Sequence, residues 1–313
     1  MITSLELGLI YGIMALGVFL TFRVLRFADL TIDGSFTLGA AVAAKLIIDG
    51  VNPWLATGAA FFAGAAAGLV TGLLHTKGKI EGLLASILVM IALWSINLRV
   101  MEKSNLPLLR ETTLLSGLRD DYLLGGDSWF SVGLFSIVLI IIIALLRWFL
   151  GTNYGLAMQS TGDAESMVKS FGVNTDRVKI VNLALSNGLV GLCGALIAQY
   201  QGFADISMGI GLILVGLASV ILGQAVFGQR FLLQAVVAVV LGSVLYRLAI
   251  YFALRVEWVS ANDMKLISAI LVVLALIIPQ IGIFKRVPKP NWTILQRSNA
   301  AASQNEEASN AAR

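Results

Sequence analysis

A chain of 313 residues with 58% hydrophobic and only 13% charged side chains, at a mean hydropathy of +0.88, cannot cover a soluble surface. Water-soluble domains use about 25% Asp, Glu, Lys and Arg for that purpose. The net charge of +4 and the pI near 9.3 come from basic residues spread along the chain, with no stripe that could track a nucleic acid backbone. One cysteine (Cys193) and one histidine (His75) exclude an intramolecular disulfide and leave too few soft ligands for a zinc or iron–sulfur site, so no cofactor or metal is expected. The fold class that follows is an all-α polytopic membrane protein, with the lipid bilayer as its solvent.

A helix needs about 20 apolar residues to cross about 30 Å of hydrocarbon. Nine runs approach that length: Leu5–Phe22, Thr31–Ile48, Pro53–Leu74, Leu83–Leu98, Trp129–Leu150, Val178–Tyr200, Ile206–Leu222, Phe231–Leu254 and Leu266–Phe284. The first is expected to be retained and not cleaved as a leader, because its front carries Glu6 and no basic residue while Arg23 and Arg26 follow it, the reverse of a signal peptide. The second, fourth and seventh runs are short and interrupted by glycine or polar residues, which marks them as places for broken or re-entrant elements and gives eight to nine transmembrane segments.

Lysine and arginine in short loops set orientation. Arg23 and Arg26, His75 with Lys77 and Lys79, the cluster Arg147, Lys169, Arg177 and Lys179, then Arg230, and finally Lys285, Arg286 and Lys289 fall on one side if every run crosses. The expected arrangement is an external N-terminus and a cytoplasmic C-terminus, with Met101–Ser128 outside. Residues 1–285 form the transmembrane domain, and residues 286–313, rich in Ala, Ser, Asn, Gln and Glu beyond Asn291, read as a disordered cytoplasmic tail.

Shifting the chain by 176 positions superposes Leu7, Leu9, Gly12, Leu16, Leu20, Phe27, Ala28 and Asp29 on Leu183, Leu185, Gly188, Leu192, Leu196, Phe203, Ala204 and Asp205. Eight identities in 23 positions, closing on Phe-Ala-Asp, indicate an internal repeat with halves of about 1–150 and 178–285. Under the charge-derived topology the copies run oppositely, and inverted repeats recur in transporters whose solute path lies near discontinuous helices. The polar stretches after each triplet supply the path candidates Asp29, Thr31, Asp33, Asp205 and Ser207. Asp29 and Asp33 read equally well as caps of the second span. Gly64, Gly68 and Gly72 form a small-xxx-small series for helix packing, and Asn97, Asn182, Asn187, Gln199 and Gln224 are suited to hydrogen bonds between helices.

The nearest approach to a phosphate loop, Gly72-Leu-Leu-His-Thr-Lys-Gly78-Lys79-Ile80, has the wrong spacing and lacks the hydroxyl residue after the lysine. Energy must therefore come from buried carboxylates in an ion-coupled carrier, or from a separate ATPase gripping a cytoplasmic element. The loop 151–177 offers such an element: Asp163–Phe171 reads as a short helix, opened by Gly162 and Asp163, with Glu165 in its first turn and Gly172 ending it. Met167 and Phe171 would share an apolar face. A membrane-embedded enzyme is disfavoured, since Cys193 and His75 lie far apart without partners.

Three stretches carry a family resemblance: Gly12-Ile-Met-Ala-Leu-Gly17 leading into Phe27-Ala-Asp-Leu-Thr-Ile-Asp-Gly-Ser35; Ala66-Ala-Gly-Leu-Val-Thr-Gly72 with Lys77-Gly-Lys-Ile80; and the loop from Gly155 to Gly172 followed by Asn174-Thr-Asp-Arg177. Together they resemble the permease subunits of bacterial ABC importers of the branched-chain amino acid and ribose type. The resemblance implies that Asp163–Phe171 is the coupling helix that docks into the ATPase, with Gly162, Asp163, Glu165, Phe171 and Gly172 as its functional residues. It also implies a second permease chain (identical or a paralogue), an ABC ATPase subunit that alone hydrolyses ATP, an extracytoplasmic substrate-binding protein, and residence in the bacterial inner membrane. The Asp-Leu-Thr-Ile-Asp-Gly stretch is most similar to a branch associated with aromatic amino acids such as tryptophan.

Overall fold

The computed structural model describes residues 2–109, 111–114, 129–228, 231–253, 255 and 264–277. In chain order the elements are α1 (Ile2–Val18) continuing into a π-helical turn (Phe19–Leu25), α2 (Thr31–Ile48), α3 (Pro53–Thr76), α4 (Gly82–Met101) and β1 (Asn105–Pro107). Then follow α5 (Trp129–Gly151), α6 (Asn153–Asp163), α7 (Glu165–Ser170), α8 (Thr175–Gln201), β2 (Phe203–Asp205), α9 (Leu212–Phe227), α10 (Leu232–Ala253) and α11 (Met264–Ile277). Among the described residues seven helices are long and apolar enough to cross a membrane, α1 with its π extension, α2, α3, α4, α5, α8 and α10, and α9 is apolar but shorter. The chain is an all-α, multi-pass membrane protein.

Lipid tails are as apolar as leucine, so burying leucine against a neighbour brings little hydrophobic gain in a bilayer, and cohesion must come from close packing and interhelical hydrogen bonds. The central helix α8 uses both. Gly64, Gly68 and Gly72 of α3 lie against its backbone at Asn187, Leu183 and Ile180, where a methyl group would overlap main-chain atoms. Gly39 of α2 meets Gly191, and Gly194 meets the Phe36 carbonyl. Hydrogen bonds tie the same helix to its neighbours: Asn182 Nδ2 donates to Leu20 O (2.9 Å), Ser186 Oγ to Gly17 O (2.7 Å), and Gln199 Nε2 to Thr57 Oγ1 (2.8 Å). Accordingly 72% of the α8 span is buried in the protein, against 17% for the peripheral α5.

The small-xxx-small reading of α3 is thus realised as helix packing, and Asn97, Asn182, Asn187 and Gln199 all bond across helices. Two readings need correction. The second and fourth runs are unbroken helices, because Gly34 and Gly39 of α2 serve close approach to Leu93 and Gly191 and not a break. The seventh run begins its helix at Leu212, six residues later than Ile206, after a turn-rich segment.

Two ends of the bundle differ. At one, Arg26 pairs with Asp163 (2.6 Å), His75 meets the Phe27 ring edge-on (5.2 Å) and Lys179 binds Glu165. At the other, Lys45 pairs with Glu102 (3.1 Å), and β1 pairs antiparallel with β2, Leu106 opposite Ala204. The expected tail 286–313, the Lys285–Lys289 charges, Arg230 and most of the polar loop before α5 lie outside the described residues.

Replacing Gly68 with leucine should lower the unfolding free energy of the purified protein by about 1–3 kcal/mol or prevent assembly, since the side chain must displace the Leu183 carbonyl. Gly58→Ala, where nothing lies within 4 Å, should leave the thermal transition in detergent unchanged.

Candidate functional site

Each helix end in the membrane leaves backbone groups that need partners. Where α1 passes into its π turn, its carbonyls take donors from beyond the ladder: Ser186 at Gly17, Asn182 at Leu20 and the Phe27 N–H at Thr21 (2.9 Å). Arg26 then closes the helix in the left-handed region, φ 55°. Asp29 follows, fully buried, its Oδ1 accepting from the Thr31 N–H (2.9 Å) and its Oδ2 from Asn187 Nδ2 (2.7 Å). Ser35 Oγ donates to Asn187 Oδ1 (2.7 Å), and the Thr31 and Thr71 hydroxyls share a bond of 2.8 Å. These buried side chains form a polar network joining α2, α3 and α8, with Asp29 starting α2 in the manner of a cap.

The same local geometry recurs 176 positions on. Gly202 closes α8 at φ 78°, and Asp205 Oδ1 accepts from the Ser207 N–H (2.8 Å) and its hydroxyl. Here the turn is exposed, and Asp205 bonds to Asn105 Nδ2 (3.3 Å) on β1. Asp29 with Thr31 and Asp205 with Ser207 are therefore held in two separate places.

From Ile206 the chain runs back along α2. Gly209 seats directly on the Asp33 carbonyl, its N–H donating to Thr37 Oγ1 (3.1 Å). The Asp33 carboxylate then receives the N–H of Gly211 (2.8 Å) and of Ile213 (2.9 Å), so it caps α9. Asp33 lies fifteen residues, about 23 Å, from the Ile48 end of α2. Helix α9 therefore starts deep within the bundle as a half-helix with a negative charge at its positive dipole end. Of the two carboxylates read as caps of the second span, Asp29 caps it and Asp33 caps α9.

The 151–177 loop is a helical corner. Thr152 caps α6, with its Oγ1 accepting from the Gly155 N–H (3.3 Å), and Gly162 packs on the Val24 carbonyl of the π turn, where no side chain fits. Gly162 and Asp163 thus end α6, and do not open the short helix expected over Asp163–Phe171, because the chain breaks at Ala164 before α7. Gly172 ends the corner at φ 81°, as its position suggested. Glu165 is braced by Lys169 (2.9 Å) and Lys179 (2.8 Å), with the Thr175 hydroxyl at 3.3 Å. Phe171 (74% exposed) and Met167 (59%) project from the braced corner, an apolar pair with no covering element among the described residues.

Partial burial pushes the Glu165 pKa up, but the hydrogen bonds and charges of Lys179 and Lys169 outweigh it and hold the carboxyl at about 2, below its ordinary 4.5. A depressed folded value means that the brace contributes fully above the unfolded value and is lost as the pH falls through about 2. Lys179→Met should move the Glu165 titration back toward 4.5, read from its carboxyl carbon-13 shift.

The sequence reading missed Asn187 as the partner of Asp29, Ser35 as the donor to Asn187, Thr71 as the partner of Thr31, and Asn97 near Asp33; their signal was polarity inside apolar helices, which does not say what they face. Comparison with known proteins now bears on the site. Residues 1–277 match the family described as branched-chain amino acid transport system / permease component. A tyrosine transport system permease protein of Clostridioides difficile is 41% identical over 296 residues, covering 93% of this chain and 97% of that one. An uncharacterized protein of Rickettsia prowazekii is 32% identical over 88% of this chain and 96% of its own length. The ribose import permease protein of Escherichia coli K12 is 27% identical over 62% of this chain and 60% of its own. No solved structure matches. With the family match spanning all the described helices, the chain belongs to the branched-chain amino acid transport system permease component family.

Proposed function

We propose that this chain is the membrane-spanning subunit of an ATP-driven importer that moves a small polar organic solute, an amino acid by its kinship, through alternating access. The observation that carries the reading is the braced α6–α7 corner, which presents Met167 and Phe171 to solvent while its Gly162 rests on the π turn of α1. A separate ATPase gripping that apolar pair would pull on a rigid unit in direct contact with α1. A π segment at that contact is a natural hinge, with side chains of α8 donating to the Leu20 carbonyl inside it and to the Gly17 carbonyl just before it. Hydrolysis of ATP belongs to the partner; this chain performs no covalent chemistry.

An extracytoplasmic binding protein delivers the solute, and a second permease chain, identical or a paralogue, completes the path. The matched left-handed caps at Arg26 and Gly202 and the matched aspartate turns at Asp29 and Asp205 support an inverted duplication. The basic end, with Arg26, Lys77 and Lys179, is cytoplasmic, the β1–β2 end is external, and the C-terminus is cytoplasmic, in a bacterial inner membrane. An ion-coupled carrier is the competing mechanism, and the experiment below separates the two.

The complex extracted gently from its native membrane should contain an ATP-binding subunit, and the double variant Met167→Ala/Phe171→Ala should lose most of it while keeping its thermal transition. Uptake into liposomes that persists without any ATPase would overturn the importer reading. Topology has its own check: in Cys193→Ala protein, a cysteine at Lys103 should react with an impermeant maleimide on intact cells, whereas one at Lys77 should react after permeabilisation.

A further inference from the structure

Beside the start of α9 lies a cavity of about 380 Å³ between α2, α4 and the segment that descends to α9, lined by Asp33, Thr37, Trp94, Ser95, Asn97 and Ile210 among others. Its size suits a small organic molecule. Its chemistry is asymmetric. Asp33 supplies a carboxylate whose two oxygens each take a single backbone N–H, leaving a lone pair on each. No lysine or arginine pairs with it among the described residues. Asn97, 1% exposed, spends its amide N–H on the Gly34 carbonyl (3.2 Å), and its Oδ1 is buried with no partner. A buried acceptor without a donor and a membrane carboxylate without a cation are each costly, and together they ask for a positively charged donor. Trp94, Ile210 and their neighbours form the apolar remainder of the wall.

We infer that this cavity binds the transported solute through a primary ammonium group, set between the Asp33 carboxylate and Asn97 Oδ1, with an apolar or aromatic body against Trp94 and Ile210. The inference rests on the importer reading for the solute's being transported, and adds its site and the group by which it is held. Because Asp33 also caps α9, an ammonium arriving at the carboxylate competes with the Gly211 and Ile213 N–H groups for the same charge. Occupancy is thereby linked to the position of the half-helix. Of the path candidates Asp29, Thr31, Asp33, Asp205 and Ser207, only Asp33 lines this cavity.

The test uses the full chain with its co-purified partners in nanodiscs, and a Ser95→Cys variant in the otherwise cysteine-free Cys193→Ala background. A small methanethiosulfonate reagent should modify Cys at this position, and L-tyrosine and tyramine should protect it, whereas 3-(4-hydroxyphenyl)propionate, which lacks the ammonium, should not. Adding Asp33→Asn or Asn97→Leu should raise the half-protecting concentration of tyramine about tenfold or more. Asp205→Asn, outside the cavity, should leave it unchanged. Equal protection by all three probes, protection insensitive to both substitutions, or no reaction of the thiol at all would overturn the proposal. Asn97→Asp, which adds a charge and keeps the shape, should tighten tyramine protection, so loss of binding in Asn97→Leu is distinguished from loss of fold. If protection follows this pattern but uptake in the unaltered complex is independent of ATP, the pocket stands and the importer reading falls.

Discussion

Inside a hydrocarbon layer a peptide group without a hydrogen-bond partner has no water to turn to, and this constraint shapes each irregular feature of the protein. Around the passage of α1 into its π turn the carbonyls of Gly17, Leu20 and Thr21 accept from Ser186, Asn182 and the Phe27 N–H. The start of α9, deep in the bundle, exposes N–H groups that the Asp33 carboxylate accepts. Irregular backbone is therefore found where α2 and α8 can supply side chains to it, and the helices facing away from them are regular.

The same two helices hold the bundle together. Glycines let α3 and α2 approach α8 to backbone contact, and the shortened distance brings Asn187 within reach of Asp29 and Ser35. Packing and polar satisfaction are thus one arrangement: a larger residue at Gly68 would displace the carbonyl of Leu183, to which Asn187 Nδ2 also donates. The guanidinium of Arg247 on α10 lies 3.7 Å from the Tyr11 ring centre, and Tyr11 stacks on Phe36, so an intramembrane cation is absorbed by an aromatic pair at the α1–α2 junction.

The proposed function builds on the mechanical continuity of these contacts. The braced corner touches the π turn through Gly162, and α8 touches the π turn through Asn182 and the preceding turn of α1 through Ser186. A few residues past α8 the chain returns to Asp33 and the head of α9. In the proposed mechanism, force applied at Phe171 and charge arriving at Asp33 would act on opposite ends of one connected set of elements. The surface ion pair Arg26–Asp163 adds little energy, being half exposed, and its role is to register the corner on the end of α1.

The division between sequence and tertiary structure follows from the range of the forces involved. Hydropathy and periodicity are local, so the run lengths alone determined an all-α membrane protein and the bounds of α2, α3 and α8 to within a few residues. The glycine series Gly64, Gly68 and Gly72 marked a packing face, and Gly172 marked a helix end, because each answers to its own turn of chain. The Phe-Ala-Asp pair 176 residues apart was visible as letters, and its two aspartate turns share one local hydrogen bond. What these residues face was not legible. Asp29 and Asp205 make the same turn, one fully buried against Asn187 and the other exposed beside Asn105, and Asp33 sits two residues into α2 yet caps α9. Partners 152 to 180 residues apart in the chain meet because three helices pack at glycine distance, and only the folded bundle decides which polar group lies opposite which.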